Sequence, residues 1–353
     1  MNDHHPIQCI IPPYITDRLA QSTDPKIRER AVLNKTSAAA FRAVRRLSQS
    51  MPSLMVTMAP EKKKNRQVFD AGKTDHLPGK LVRAEGQKKV ADAGVNEAYD
   101  GAGTTYDFYD QVFQRNSLDD RGMNLVSSVH VAEPDFGGHY VPMDNAFWNG
   151  EQMAYGDGDG VLFHRFTLSL DVIGHELTHG VSSFTSNLTY SGQSGALNEH
   201  FSDVFGILVR QWKNGESAGK AEWTIGREVL VPAATRRAIR DMENPGTAFT
   251  NDPDLGTDPQ PAHFSKLYTG NSDSGGVHIN SGIPNRAFVL VAKALGGNAW
   301  DVAGRIWYKT LLQLSSSDQF KECAAMSVQV AVPFGAAAKK AVKAAWKKVG
   351  VAV

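Results

Sequence analysis

His175-Glu176-Leu177-Thr178-His179 is the stretch from which the rest of this chain is read. Two imidazoles four residues apart lie one above the other on a helix, so both rings can reach one metal ion. Glu176 is turned by about 100° from His175. That angle keeps its carboxylate out of the metal's ligand shell but within reach of a water bound there. Two ligands and a general base on one helical turn form the H-E-x-x-H arrangement of zinc hydrolases. The flanking residues support a helix over Ser169 to Phe184. Ile173, Leu177, Val181 and Phe184 fall on the side opposite His175, which gives an apolar back and a chemical front. The blander reading is a core helix whose histidines only form hydrogen bonds. It requires a buried polar stripe to find other partners.

A catalytic zinc keeps three protein ligands and one open position. Downstream, Ser194 to Gly206 again has helical spacing, with Leu197, Phe201, Val204 and Leu208 on one face and Glu199 and Asp203 on another. Glu199 can complete a His2Glu site. Asp203, one turn on, can accept a ring N–H from a ligating histidine and fix its tautomer, and Asn198 can do similar work. His200 competes as a ligand but points about 100° away from Glu199. A solvated acidic face is the plain alternative for Glu199 and Asp203.

These residues resemble the thermolysin-type zinc endopeptidases. The likeness rests on His175–His179, on Gly195-Ala196-Leu197-Asn198-Glu199 followed by Ser202-Asp203, on Asn145-Ala146-Phe147-Trp148-Asn149-Gly150, on Tyr155-Gly156-Asp157-Gly158 and on Gly275-Gly276-Val277-His278-Ile279-Asn280-Ser281-Gly282. It runs from about Gly79 to the C-terminus, and the short leader with Pro12-Pro13 is similar to the protealysin branch. The fold it implies is α+β: a β-rich N-terminal lobe and an α-helical C-terminal lobe joined by the zinc helix, with substrate between them. The expected division is a leader over residues 1–55, a β-rich lobe over 56–190 and a helical lobe over 191–353.

The resemblance also implies site roles. Beside Glu176 as base, His278 and Tyr190 would face the developing oxyanion, with Asp273 orienting His278. Asn145 and Ala146, in an edge-like strand, would bind extended peptide backbone. Arg240 would bond the substrate carbonyl beyond the scissile bond. Phe163, Phe166, Val172, Ile225, Val229 and Ile239 match the primed-side pocket, implying cleavage on the amino side of bulky hydrophobic residues. Phe166 is larger than the usual aliphatic there, which makes a shallower pocket. One cofactor follows, a catalytic zinc. The resemblance implies that thermolysin's structural calcium sites are absent, because Asp171 matches one such ligand but Arg210, Thr224, Arg227 and Arg237 occupy positions that would have to be carboxylates or other oxygen ligands. Asp157-Gly158-Asp159-Gly160 lacks the later ligands of a calcium loop and reads as a turn.

Composition sets the outer bounds. The chain has 353 residues, 41% hydrophobic and 21% charged, with a net charge of +1. These are the proportions of a globular enzyme, with no global signal for nucleic acid or membrane. Two cysteines, Cys9 and Cys323, are too few for a disulfide framework. No apolar run is long enough to span a bilayer. Ile7 to Ile15 is short and broken by Pro12 and Pro13, so no signal peptide is read; the resemblance implies an extracellular enzyme exported by another route, with cytoplasmic storage as the alternative.

The first sixty residues carry eight Lys/Arg against four Asp/Glu, whereas the remainder carries 30 against 33. Asp24-Pro25 signals a helix start, and Phe41, Val44 and Leu47 continue an apolar stripe towards Met51-Pro52-Ser53. The leader is therefore expected to dock on an acidic surface, and the resemblance makes it an inhibitory propeptide. Ile10 to Tyr14 near the cleft is the expected block, with a Cys9 thiolate on zinc as a sharper variant. Further on, the readings are strands at Lys80–Arg83 and Leu125–Val131, a helix at Asn96–Gln114, a surface loop from Asn244 to Pro261, and helices at Asn285–Leu295, Ala299–Leu314, Asp318–Val328 and Ala336–Lys348. The reading is a monomeric zinc endopeptidase made as a zymogen, acting on proteins or peptides. The rivals are an aminopeptidase, for which no acidic amine-binding motif is seen near the edge strand, and a binding module that kept the fold, which the presence of Glu176 opposes.

Overall fold

The computed structural model describes residues 8–48 and 62–353, and for residues 37–48 only the backbone helix. The stripe Phe41, Val44, Leu47 and the expected processing boundary near residue 55 therefore lie outside the described side chains. The chain forms two compact units, residues 1–180 with 228–231 and residues 181–227 with 232–353.

The first unit contains β1 (Gln8–Cys9), α1 (Pro13–Leu19), α2 (Pro25–Ser48), β2 (Arg66–Asp70), β3 (Lys80–Ala84), α3 (Ala93–Phe113), β4 (Leu125–Pro134), β5 (Tyr140–Pro142), β6 (Ala146–Trp148), β7 (Met153–Gly156) and the start of α4 (Leu170–Ser183). Asp24 accepts the Lys26 N–H at 2.8 Å at the head of α2, and Asp92 accepts the Val95 N–H at 2.9 Å at the head of α3. One seven-stranded sheet runs β1-β6-β7-β4-β2-β3, with β5 paired to β4. β4 lies parallel to both β2 and β7, whereas β6 is antiparallel to β7. Leader strand β1 is antiparallel to β6, with Gln8 opposite Trp148 and Cys9 opposite Phe147. The strand expected at the sheet edge is thus covered by the leader.

Register settles the cysteine question. Cys9 shares a face with Phe147 and packs with Ala71, Val131, Met143 and Ala154 in an apolar cluster. Trp148 points to the other face, where its ring approaches Gly180 of α4. The Cys9 thiol faces away from the zinc helix and is a small apolar core residue, so the thiolate variant of leader inhibition is wrong. His130 joins two elements on the same sheet. Its Nδ1 is 2.9 Å from Asp157, just past β7, and its Nε2 is 3.1 Å from Asp92 at the head of α3. The Asp157 bond, opposed by burial and helped by Asp92 and Asp70, holds the ring's pKa up to about 9. Asp159 accepts the N–H groups of Val161, Leu162 and Phe163, which places the turn at 159–163, starting within the stretch 157–160 read as a turn.

The second unit contains the end of α4, then α5 (Gly192–Asn214), β8 (Thr224–Ile225), β9 (Arg240–Asp241), α6 (Asp273–Asn280), α7 (Gly282–Leu295), α8 (Val302–Leu311), α9 (Phe320–Val330) and α10 (Ala336–Lys348). α5 stops at Gly215, whose left-handed φ of 68° and N–H to Gln211 close the helix. α9 starts on a capping box between Gln319 and Glu322. Two sequence expectations need correction. The segment Asn244–Pro261 is not simply a surface loop: Ala248, Phe249, Asp252, Leu255, Asp258 and Gln260 are buried, and Arg236 anchors it through Asp252 at 2.7 Å. Phe184, assigned to the apolar back of the zinc helix, lies just past its end and is 48% exposed.

Candidate active site

Helix α4 carries the histidine pair read from the sequence as metal-binding. Ile173, Leu177 and Val181 are buried on its apolar back, and Thr178 bonds the Tyr109 hydroxyl of α3 at 2.8 Å. On the front, the His175 and His179 rings stand 4.7 Å apart and nearly perpendicular, with their Nε2 atoms 3.0 Å from each other. Both rings are fully buried. Two nitrogens bound to one tetrahedral zinc at about 2.05 Å would lie roughly 3.3 Å apart. The observed spacing is a few tenths shorter, a difference that a small ring rotation closes, so the pair fits a zinc ion. His175, Glu176 and His179 together place ligand-type atoms within 4.8 Å of one another. Glu176 is set apart by its Oε2, which accepts the Trp148 N–H of β6 at 3.0 Å. Glu176 is thereby tied to the strand expected to bind substrate, a link that the sequence could not reveal because it spans 28 residues.

The same unit positions the other first-lobe residues. Asn145 Oδ1 accepts the N–H of Ala146 at 2.9 Å and of leader residue Ile11 at 3.3 Å, and its amide reaches Asn34 of α2. The Ala146 carbonyl accepts the Ile10 N–H at 3.2 Å. Phe163 and Phe166 pack with centroids 5.9 Å apart, and the segment 228–231 joins them as His164 N–H donates to the Val229 carbonyl at 2.7 Å. Phe163, Phe166, Val172 and Val229 are all buried.

The second unit gathers a further polar group. α5 buries Glu199, and the Tyr190 hydroxyl donates to its Oε1. His278 Nε2 lies 3.2 Å from that hydroxyl and 3.4 Å from the other Glu199 oxygen. Asp273 Oδ1 accepts from His278 Nδ1 at 2.6 Å, while Oδ2 takes the N–H groups of His278 and Ile279. Burial pushes the His278 pKa down, but the carboxylates of Glu199 and Asp273 outweigh it and hold it up to about 9. The Gly-Gly before this histidine has a structural cause. Residues 273–276 wind left-handed before the helix proper, and a Cβ on Gly276 would sit 2.6 Å from the Tyr268 ring.

His200, the rival ligand, has both ring nitrogens engaged. Trp307 donates to Nε2 at 2.7 Å and Nδ1 faces Asn285 Oδ1 at 2.8 Å, so the neutral ring is structural, its pKa pushed down to about 4 by burial. Within this unit Asp203 accepts three bonds from Arg240, the shortest at 2.7 Å, and one from Asn285 at 2.8 Å. Sequence reasoning placed Asp203 and Arg240 separately and missed this fully buried pair, 37 residues apart. Ile225 stands opposite Arg240 across β8 and β9, with Ile239 donating to the Ile225 carbonyl at 2.9 Å. Asn198 donates to the Leu188 carbonyl at 3.1 Å, bracing the turn that presents Tyr190.

Comparison with known proteins agrees with this chemistry. Residues 44–183 match the thermolysin metallopeptidase catalytic domain, and residues 186–351 match the thermolysin metallopeptidase alpha-helical domain. The chain is 44% identical to an extracellular metalloprotease of Pectobacterium carotovorum subsp. carotovorum, covering 99% of this chain and 97% of that protein. It is 43% identical to Protease PrtS of a Photorhabdus strain, over 98% and 92% of the two chains. Among solved structures, the precursor of protealysin from Serratia proteamaculans superposes with a TM-score of 0.85 at 42% identity, over 98% of this chain and all of that one. The chain therefore belongs to the thermolysin metallopeptidase family.

Proposed function

We propose that this protein is a zinc-dependent neutral endopeptidase made with an N-terminal propeptide, and that His175, His179 and Glu199 are its zinc ligands. The observation that carries the reading is the buried imidazole pair with Glu176 tied beside it to the β6 backbone. Zinc, when bound, supplies a Lewis acid for the scissile carbonyl and lowers the pKa of the attacking water. Glu176 takes the proton of that water and passes it to the leaving nitrogen. His278 and Tyr190 donate hydrogen bonds to the developing oxyanion, with Asp273 keeping a proton on His278 Nδ1. For Glu199 the support is its place on the buried face of α5, beside the Tyr190 hydroxyl and His278, within the stretch that carries the family resemblance. Asp203 accepts a ring N–H from a ligating histidine and holds its tautomer, and Asn198 does similar work while bracing the turn at Leu188.

Asn145 and Ala146 bind the substrate backbone, Arg240 holds the carbonyl beyond the cut, and Phe163, Phe166, Val172, Ile225, Val229 and Ile239 receive a bulky hydrophobic side chain on the amino side of which cleavage occurs. The leader supports the zymogen reading, since it occupies the β6 edge as a substrate strand would. Calcium is dispensable at the thermolysin-type positions. Arg210 donates to the carbonyls of Thr224 and Glu222, and Arg227 and Arg237 pair with Glu222 and Asp241, so guanidinium groups supply positive charge there. The relatives point to an exported enzyme, and no described helix is long and apolar enough to cross a membrane. We infer a monomer that acts on proteins or peptides.

The test compares the full chain with Glu176→Gln. Incubated with zinc, the native chain should shorten to a new N-terminus and cleave an end-blocked peptide. The variant should hold one zinc and do neither. Native turnover by the variant would overturn the mechanism.

A further inference from the structure

Leader helix α2 places a guanidinium beside the substrate strand. Arg30 binds Asp144 with two bonds, Nε to Oδ2 at 3.1 Å and Nη2 to Oδ1 at 2.9 Å, and also donates to the Pro142 carbonyl. Asp144 is only 5% exposed and immediately precedes Asn145. Asn34, one turn beyond Arg30, caps the Asp144 carbonyl at 2.8 Å. A small cavity beside the ion pair is lined by Thr16 and Leu19 of the leader and by Asp144, Asp159, Leu162 and Phe163. Among the described residues, Arg30 is the only cation paired with Asp144.

Removing the leader takes away the guanidinium and leaves two carboxylates, Asp144, which still accepts the Asp159 N–H, and Asp159, which accepts the N–H groups of its own turn, together with the Pro142 carbonyl. The planar fork of a guanidinium matches Asp144 and the Pro142 carbonyl, as Arg30 demonstrates, with the Asp159 carboxylate lining the same cavity. Strand register says where a substrate would reach it. Cys9 lies opposite Phe147 and Ile10 bonds to Ala146, so the residue three beyond Cys9 would stand opposite Asp144. In the leader that residue is Pro12, at which the chain leaves the strand and turns into α1. Arg30 fills the vacancy from elsewhere. An extended substrate would instead bring its own side chain to the same carboxylate.

We propose that Asp144, with Asp159 and the Pro142 carbonyl, forms a subsite in the mature enzyme that recognises a cationic side chain of the substrate, arginine above all. The proposal rests on residues up to about 55 being a removable propeptide. It adds a charge preference to the hydrophobic selection described above.

The experiment uses the processed enzyme and internally quenched, end-blocked peptides that compete in one tube. They differ at one position, scanned along the peptide, as arginine, lysine, citrulline or leucine. At one position kcat/KM should favour arginine over citrulline by about five- to tenfold, the scale of one charge-assisted pair at a partly exposed site. In Asp144→Asn that ratio should fall close to one. If the variant does not fold, the native enzyme still decides: the arginine preference should shrink with added salt. A ratio near one at every position, a preference that survives Asp144→Asn, or one indifferent to salt would overturn the subsite alone. A chain that cleaves peptides while keeping its N-terminus would overturn the propeptide reading and the subsite with it.

Discussion

Asp273→Asn tests how the second unit prepares His278. The carboxylate accepts three bonds: Oδ1 from the ring Nδ1 at 2.6 Å, and Oδ2 from the backbone N–H groups of His278 and Ile279 at 2.8 and 3.1 Å. Asparagine offers one oxygen and an NH2 group. Turned one way, it aims its donors at two backbone donors and forfeits both bonds. Turned the other way, it keeps the backbone pair and sets its N–H against Nδ1. The second orientation costs less, and it forces the ring into the neutral form with its proton on Nε2. A charged donor to the oxyanion becomes a neutral one. The difference between charge-assisted and neutral hydrogen bonds is about 1–2 kcal/mol. That corresponds to roughly a five- to thirtyfold loss of kcat/KM, concentrated in kcat because the oxyanion exists only in the transition state. The assay measures kcat and KM on an end-blocked peptide for the native enzyme, Asp273→Asn, His278→Ala and the double variant. The double variant should match His278→Ala, because Asp273 acts through the histidine. An Asp273→Asn enzyme within twofold of native, or losses that add in the double variant, would refute the reasoning.

Two further outcomes follow from the first unit. Ile10 is fully buried in the leader strand and bonds Ala146, so Ile10→Asp would have to bury a carboxylate, at a cost of several kcal/mol. The unprocessed variant should cleave peptide without the lag that native zymogen shows, and an unchanged lag would contradict the strand block. His130 has its pKa raised from 6.5 to about 9 by Asp157 against the opposing effect of burial. Its contribution is therefore complete below about pH 6.5 and disappears as pH rises through 9, amounting to about 1–2 kcal/mol after allowing for its partial exposure. The difference in Tm between native protein and His130→Asn should be widest near pH 6 and close in alkaline buffer; a difference that grows with pH would contradict the ion pair.

What the sequence revealed was mostly local. Helix α4 and helix α5 follow from apolar spacing, and their chemical faces from the same periodicity, because i and i+4 neighbours are set by one backbone geometry. Likewise Asp24-Pro25 marked the head of α2, and the Ala/Lys-rich tail gave α10 to the residue. Pairings across long separations were hidden. Nothing in the composition ties Trp148 to Glu176, Arg30 to Asp144 or Arg240 to Asp203, since each depends on how the chain returns on itself. The loop 244–261 was misjudged for the same reason: its Gly, Asn and Asp-Pro signals report turns correctly, but Asp252 and Asp258 are buried by accepting backbone and arginine bonds that only the fold supplies. The sequence left the place of Cys9 open because strand register, and not residue chemistry, decides which face a side chain takes.

The central claim is that the His175–His179 pair holds a metal ion on which turnover depends. Elemental analysis of the purified full chain, beside Glu176→Gln and His175→Ala, tests it most directly. The account predicts one zinc per chain in the native protein and in Glu176→Gln, with activity in the native protein alone, and far less than one zinc in His175→Ala. Fully active native protein with no stoichiometric metal, or undiminished zinc in His175→Ala, would contradict it.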